Sequence, residues 1–153
     1  MPIALLAPVP ALHLADAAAT CAAGGRVAFG TNAFEVMHQV AEEYGEGLPV
    51  LIYPTQTGQG SAALLTPGFA SYRANFLCIR HANPGGLHPE ATVRPASTLG
   101  PGGDSAWGLF WEVTALAPLQ QKVRLTDLRA LGKKAKLAAG FSPRGPMLVE
   151  QRH

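Results

Sequence analysis

Residues 104–119 read DSAWGLFWEVTALAPL, and they place Trp107 and Trp111 four positions apart in an apolar run. Side chains of a strand alternate between its two faces, so positions 107, 109, 111 and 113 share one face if the run is extended. That row has two uses: one buried line of core residues, or an indole offered to a flat ring as a stacking surface. The preceding extended segment, FASYRANFLCIRHA at 69–82, reaches this run with no helical period between them. Parallel neighbours need a crossover, usually a helix, so the two strands are expected to pair antiparallel. This reading makes the fold α+β.

Working back toward the N-terminus, PIALLAPVP (2–10) reads as a short strand ended by prolines. ALHLADAAATCAA (11–23) reads as an alanine-rich helix stopped by Gly24 and Gly25. RVAFGTN (26–32) is a brief extended piece, after which Asn32 is placed to cap a helix over 33–45 with Phe34, Met37, Val40 and Ala41 on one face. LPVLIYPTQ (48–56) is a continuous apolar strand, and the Gly/Ser segment 57–68 leads into the strand at 69. There, Tyr72, Ala74, Phe76 and Cys78 are expected on one face, opposite Phe69, Ser71, Arg73, Asn75 and Leu77.

Residues 83–106 have no sustained period and are dense in Gly and Pro. A loop of that length is either a binding element or a disordered segment. Beyond the tryptophan run, residues 122–140 read as a short strand followed by a third helix begun at Thr126 or Asp127, and 142–151 as a final strand. Strands outnumber helices. The expected architecture is a small, mostly antiparallel β-barrel with about three flanking helices.

The 153 residues form a single domain, 1–153, on this reading; 48% are hydrophobic and only 14% charged, a composition that buries a core. A formal net charge of +2 is too small for long-range capture of a polyanion, so any nucleic-acid recognition has to be local. Cys21 and Cys78 lack metal spacing and read as small buried apolar residues. The apolar opening lacks a basic leader and is broken by Pro8 and Pro10, and no run approaches a membrane span, so a soluble, cytoplasmic protein with no membrane association is expected.

Chemical motifs are sparse. Cys78, His81 and His88 match no recurring zinc spacing, and solvated or capping histidines are expected in place of a metal site. No GxSxG marks a nucleophile, and the glycine-rich GQGSAAL and GPGGDS match no phosphate-binding loop. No cofactor and no catalytic set are assigned. Trp111 reads as core, whereas Trp107, at the junction of loop and strand, is placed to line the mouth of a barrel. Arg73 and Arg94, with Ser97, either donate to phosphate and base edges or are solvated edge charges.

As a whole the chain resembles the EVE domain and its ASCH and YTH relatives in the PUA-like superfamily. IALLAPVP is similar to that family's opening strand. VAFGTN resembles its W-x-G-V-R-N element, with Gly30 and Asn32 in register and Phe29 near the tryptophan. GEGLPVLIYPT resembles G-D-x-V-L-F-Y-H-S, which puts Tyr53 and Thr55 at its aromatic and hydroxyl positions. WGLFWEVTALAPLQQKVRLTDLRAL is similar to the later strand, turn and helix, and GFSPRGPMLVE to the closing segment, with Arg144 near its arginine.

The resemblance implies a nucleic-acid-binding domain that holds a modified nucleotide of DNA or RNA in a barrel-mouth pocket. Its implied ligand-binding residues are Gly30, Thr31, Asn32, Tyr53, Thr55, Arg73, Arg94, Trp107 and Arg144. Trp107 or Tyr53 stacks on the base, Asn32 and Thr55 bond its edge, and the arginines meet phosphates. Some ASCH proteins instead hydrolyse acylated nucleosides with a lysine, a threonine and a glutamate. Here Thr31 and Glu35 are available, but every lysine lies in the last third of the chain. A protein-interaction module without a small ligand is the third reading.

Overall fold

Apolar runs with a strand period dominate the chain, and in the computed structural model, which describes residues 2–55, 68–84, 86–95, 107–138 and 145–151, they assemble into one sheet flanked by two helices. The elements are β1 (Ile3–Pro10), α1 (Ala11–Gly24), β2 (Val27–Thr31), α2 (Phe34–Gln39), β3 (Pro49–Thr55), β4 (Phe69–His81), β5 (Leu109–Arg124), β6 (Leu128–Ala130) and β7 (Met147–Gln151). Helix α2 runs on into a π-helical turn, Val40–Tyr44. The expected α+β class holds. Most of the Gly/Ser connection 57–68 and residues 96–106 of the long loop lie outside the described residues.

Seven strands pair in the order β2-β5-β4-β3-β1-β7-β6. Among the described pairs β1 and β3 alone are parallel, and the helices and strand between them supply the crossover that parallel pairing needs. The long β4 and β5 pair antiparallel from Phe69–Arg124 to His81–Leu109, the arrangement expected from the missing crossover helix. Strands β2 and β6 are left as edges, so the pairing is open and does not close into the expected barrel.

Helices cover one face of the sheet. Leu5, Ala7 and Val9 of β1, Ile52 of β3, Phe76 of β4 and Leu109, Trp111 and Val113 of β5 pack there against Leu14 and Ala17 of α1 and Met37 and Val40 of α2. The opposite face is divided: Leu6, Leu51, Leu125, Leu128 and Val149 form one cluster, and Ala28, Val93 and Phe110 another. Alternation along β1 assigns odd positions to one face and even positions to the other, as the period of two demands.

Three expectations fail for physical reasons. The third helix does not form: Thr126 and Asp127 sit in a single 3-10 turn, after which Leu128–Ala130 pairs with Val149–Gln151. Burial of Leu125 and Leu128 and a partner for the edge of β7 outweigh a helix propensity of a few tenths of a kcal/mol per residue, and Gly132 at φ 80° turns the chain back. Cys78 does not share the face of Phe76, because the register slips between the pairs Phe76–Val113 and Cys78–Glu112. One extra residue in a bulge re-aims everything beyond it. Trp107 likewise does not join the row of Trp111. It lies ahead of β5 and packs with Ala28, Val93 and Phe110 on the opposite side.

Candidate functional site

Strand β2 ends in Gly30–Thr31, and the chain then turns into α2. The Thr31 hydroxyl oxygen accepts from the Ala33 N–H at 3.0 Å, a side-chain turn just ahead of α2, whose N-cap is Ala33 with no side-chain cap, so the capping role expected of Asn32 is not filled. Asn32 is used differently: its Oδ1 accepts from the Gly108 N–H at 2.9 Å, tying the β2 end to the start of β5 across 76 residues. With Oδ1 taken by a donor, the amide NH₂ is the end left to face outward.

Gly30 explains the placement of Trp107. A Cβ built on Gly30 would lie 2.2 Å from Cδ1 and 2.5 Å from Nε1 of the indole, so the ring occupies the space above this glycine. Any side chain at residue 30 displaces it. The Trp107 Nε1 is buried there without a hydrogen-bond partner among the described residues, a costly arrangement for an indole N–H. Gly108 plays the same part for Phe34, whose ring tip lies 2.4 Å from the corresponding built Cβ.

A cavity of about 480 Å³ opens beside this junction. Pro8, Val9 and Pro10 of β1 and His13 of α1 form one wall, Phe29 to Ala33 a second, Arg94, Trp107 and Trp111 a third, and Gly145 and Pro146 the side next to β7. Its rings are Phe29, Trp107 and Trp111, with Phe29 and Trp111 tilted together at 5.0 Å between centroids. The polar side chains are His13, Thr31, Asn32 and Arg94; no acidic residue is among the described lining residues. His13 is buried, not solvated, and the guanidinium of Arg94 lies 4.7 Å above the centroid of Phe110.

Of the nine residues singled out in the sequence, Gly30, Thr31, Asn32, Arg94 and Trp107 come together around this cavity. Tyr53 and Thr55, on β3, are not among its lining; Tyr53 is half-buried against the cluster of Leu51 and Leu128. Arg73 is exposed on β4 and also does not line it, and Arg144 lies outside the described residues. Glu35 is exposed on α2, away from the lining that holds Thr31. Phe29 and the prolines at 8, 10 and 146 were not singled out for the site in the sequence, since apolar residues at strand ends carry no chemical signature, nor was His13, because a lone histidine in an alanine-rich helix reads as solvated.

Behind the cavity sits an ionic cluster that holds the loop after β4. Glu112, fully buried on β5, accepts from Arg26 Nη1 at 2.6 Å and from His88 at 3.1 Å, with Arg80 Nε at 3.3 Å. His88 Nδ1 accepts from the Glu90 N–H at 2.8 Å, so the ring proton is on Nε2 and is donated to Glu112. Glu90 takes the other Arg26 nitrogen at 2.6 Å. The Arg26 pKa is raised: burial works against its charge, but the hydrogen bond to Glu90 and the charge of Glu112 outweigh it. Burial, then the charge of Glu112, push the Cys78 thiol up, which makes it a poor nucleophile.

His88 is therefore a structural hydrogen-bonding residue, and His81 stacks on His38 at 5.5 Å. The signal for this cluster was an acid at a strand position flanked by apolar residues, LFWEVTAL, which demands buried cations. No helix among the described residues is long and apolar enough to cross a membrane. No protein-family profile, curated protein or solved structure matches the chain.

Proposed function

We propose that this chain is a noncatalytic nucleic-acid-binding domain that takes one base, a modified nucleotide of DNA or RNA, into the cavity between β2, α1 and the start of β5. One observation carries the reading: aromatic walls and oriented donors meet in a space of about 480 Å³, within the range of sites that enclose small planar ligands. Trp107 stacks on the base. The Asn32 amide, oriented by Gly108, donates to an acceptor on its edge, and Thr31 and Arg94 border the same space. The resemblance of the sequence motifs to EVE and ASCH domains supports the assignment.

The test is titration of the protein with nucleosides and short oligonucleotides, with and without modified cytosines and adenines, following tryptophan fluorescence. Modification-dependent binding that weakens by about 1–3 kcal/mol in Trp107→Ala is the expected result. Asn32→Asp keeps the oxygen that accepts from Gly108 but removes the NH₂ donor, so it selectively weakens ligands that present a carbonyl. Equal affinity for all ligands in wild type, Trp107→Ala and Asn32→Asp would end this reading.

A further inference from the structure

Charge is divided along the chain. Residues 113–151 carry seven Lys and Arg against Asp127 and Glu150, whereas residues 1–112 carry four Lys and Arg against eight Asp and Glu. The modest net charge of +2 conceals this division. The fold then gathers part of the basic share into one place, the turn after β6. The Leu131 N–H donates to the Leu148 carbonyl, the Lys133 N–H to the Ala130 carbonyl, and Arg129 bridges Lys136 across the turn. Lys133, Lys134 and Lys136 are all exposed and make no ion pair among the described residues. Arg129, in contrast, is neutralised by Glu150 at 2.6 Å.

The position of this turn matters as much as its charge. Leu131 lies level with Leu148, and the chain just ahead of β7 is Gly145 and Pro146, which line the cavity. Strands β6, β7 and β1 are successive neighbours in the sheet and Leu148 pairs with Leu5, so the start of the turn stands two strand spacings, about 10 Å, from the middle of β1, and the cavity-lining Pro8 lies about 10 Å further along that strand. Among the described residues the large exposed apolar side chains are Leu12, Phe34 and Leu87, and none belongs to the turn.

We propose that the Lys133–Lys136 turn is the docking surface for the sugar-phosphate backbone of a single-stranded nucleic acid whose base enters the cavity. The inference rests on the pocket reading for the base but assigns the backbone contacts to a separate surface. A base outside a stacked duplex is what the cavity can accept, and a single strand delivers it without unpairing. Three flexible ammonium groups suit such a backbone, because they neutralise phosphates without demanding a fixed geometry.

The experiment measures affinity for a mononucleoside and for a single-stranded oligonucleotide of eight or so residues between 50 and 200 mM salt, with wild type and the Lys133→Ala/Lys134→Ala/Lys136→Ala variant. Three contacts at a slope of about −0.7 each mean that this fourfold salt step costs wild type roughly 20-fold more oligonucleotide affinity than the variant. Mononucleoside affinity stays unchanged, and a triple Lys→Arg variant retains the wild-type slope. Identical salt slopes in wild type and the alanine variant overturn the proposal, as does binding of anionic lipid vesicles, but not the oligonucleotide, through these lysines. Lysine-dependent oligonucleotide binding without mononucleoside binding refutes the pocket reading and leaves the surface standing. The reverse pattern refutes the surface alone.

Discussion

Gly30→Ala separates a packing role of this glycine from a generic one. The added Cβ would lie 2.2 Å from the Trp107 ring, where real Cβ contacts essentially never fall below 3.0 Å, so the indole has to move by about 1 Å. The ring cannot give by tenths and must leave its position against Ala28, Val93 and Phe110. Overpacking of this kind costs about 1–3 kcal/mol. Because residue 30 is not in the left-handed region, no backbone penalty adds to it. The assay is denaturant unfolding of wild type, Gly30→Ala, Trp107→Ala and the double variant. The three atoms nearest the added methyl group all belong to the indole, so Gly30→Ala is expected to be within about 0.5 kcal/mol of neutral in the Trp107→Ala background, a coupling of about 1–3 kcal/mol. Additive effects would show that Trp107 does not occupy the space over Gly30. In ligand titrations the single variant is expected to bind as poorly as Trp107→Ala, since both remove the ring from the cavity wall.

Glu112→Ala leaves Arg26 and His88 facing a buried void and is expected to destabilise the fold by about 3 kcal/mol, with faster amide exchange at 86–94; Glu112→Gln, which keeps an acceptor, costs less. An unchanged unfolding midpoint in Glu112→Ala would refute the bridging role. Cys78 is expected to alkylate at pH 8 more slowly in the native protein than in urea. Its folded pKa is raised above the ordinary 9.0, so the stability it contributes is present below that value and is lost as the pH rises through its folded pKa. A native rate equal to the unfolded one contradicts this. Ala115 holds φ 54° on an exposed part of β5, where an L residue costs about 1 kcal/mol; Ala115→Gly is expected to raise the denaturant midpoint, and a lowered one would mean that the strain is absent.

The local chemistry of the chain was sufficient for much of this protein. Strand periods at 3–10, 49–55 and 109–113, the glycine stops at Gly25 and Gly45, and the missing helix between residues 81 and 109 together determine an α+β protein with a long antiparallel pair. Gly30, Thr31 and Asn32 were singled out only through the resemblance to the W-x-G-V-R-N element, since read locally a glycine and short polar residues at a strand end suit a turn and a helix cap equally well. Three features belong to the tertiary structure alone. A bulge opposite Val113 turns Cys78 and Arg80 toward Glu112, and no periodicity within β4 reveals it. Residues 128–130 become a strand because β7 needs a partner, although their own propensity favours a helix. Trp107 parts from Trp111 because Gly30, 77 residues earlier, leaves room for an indole on the far side of the sheet. Alternation and turns act over a few residues, whereas register, edge pairing and vacant volume are set by whichever distant segment arrives beside them.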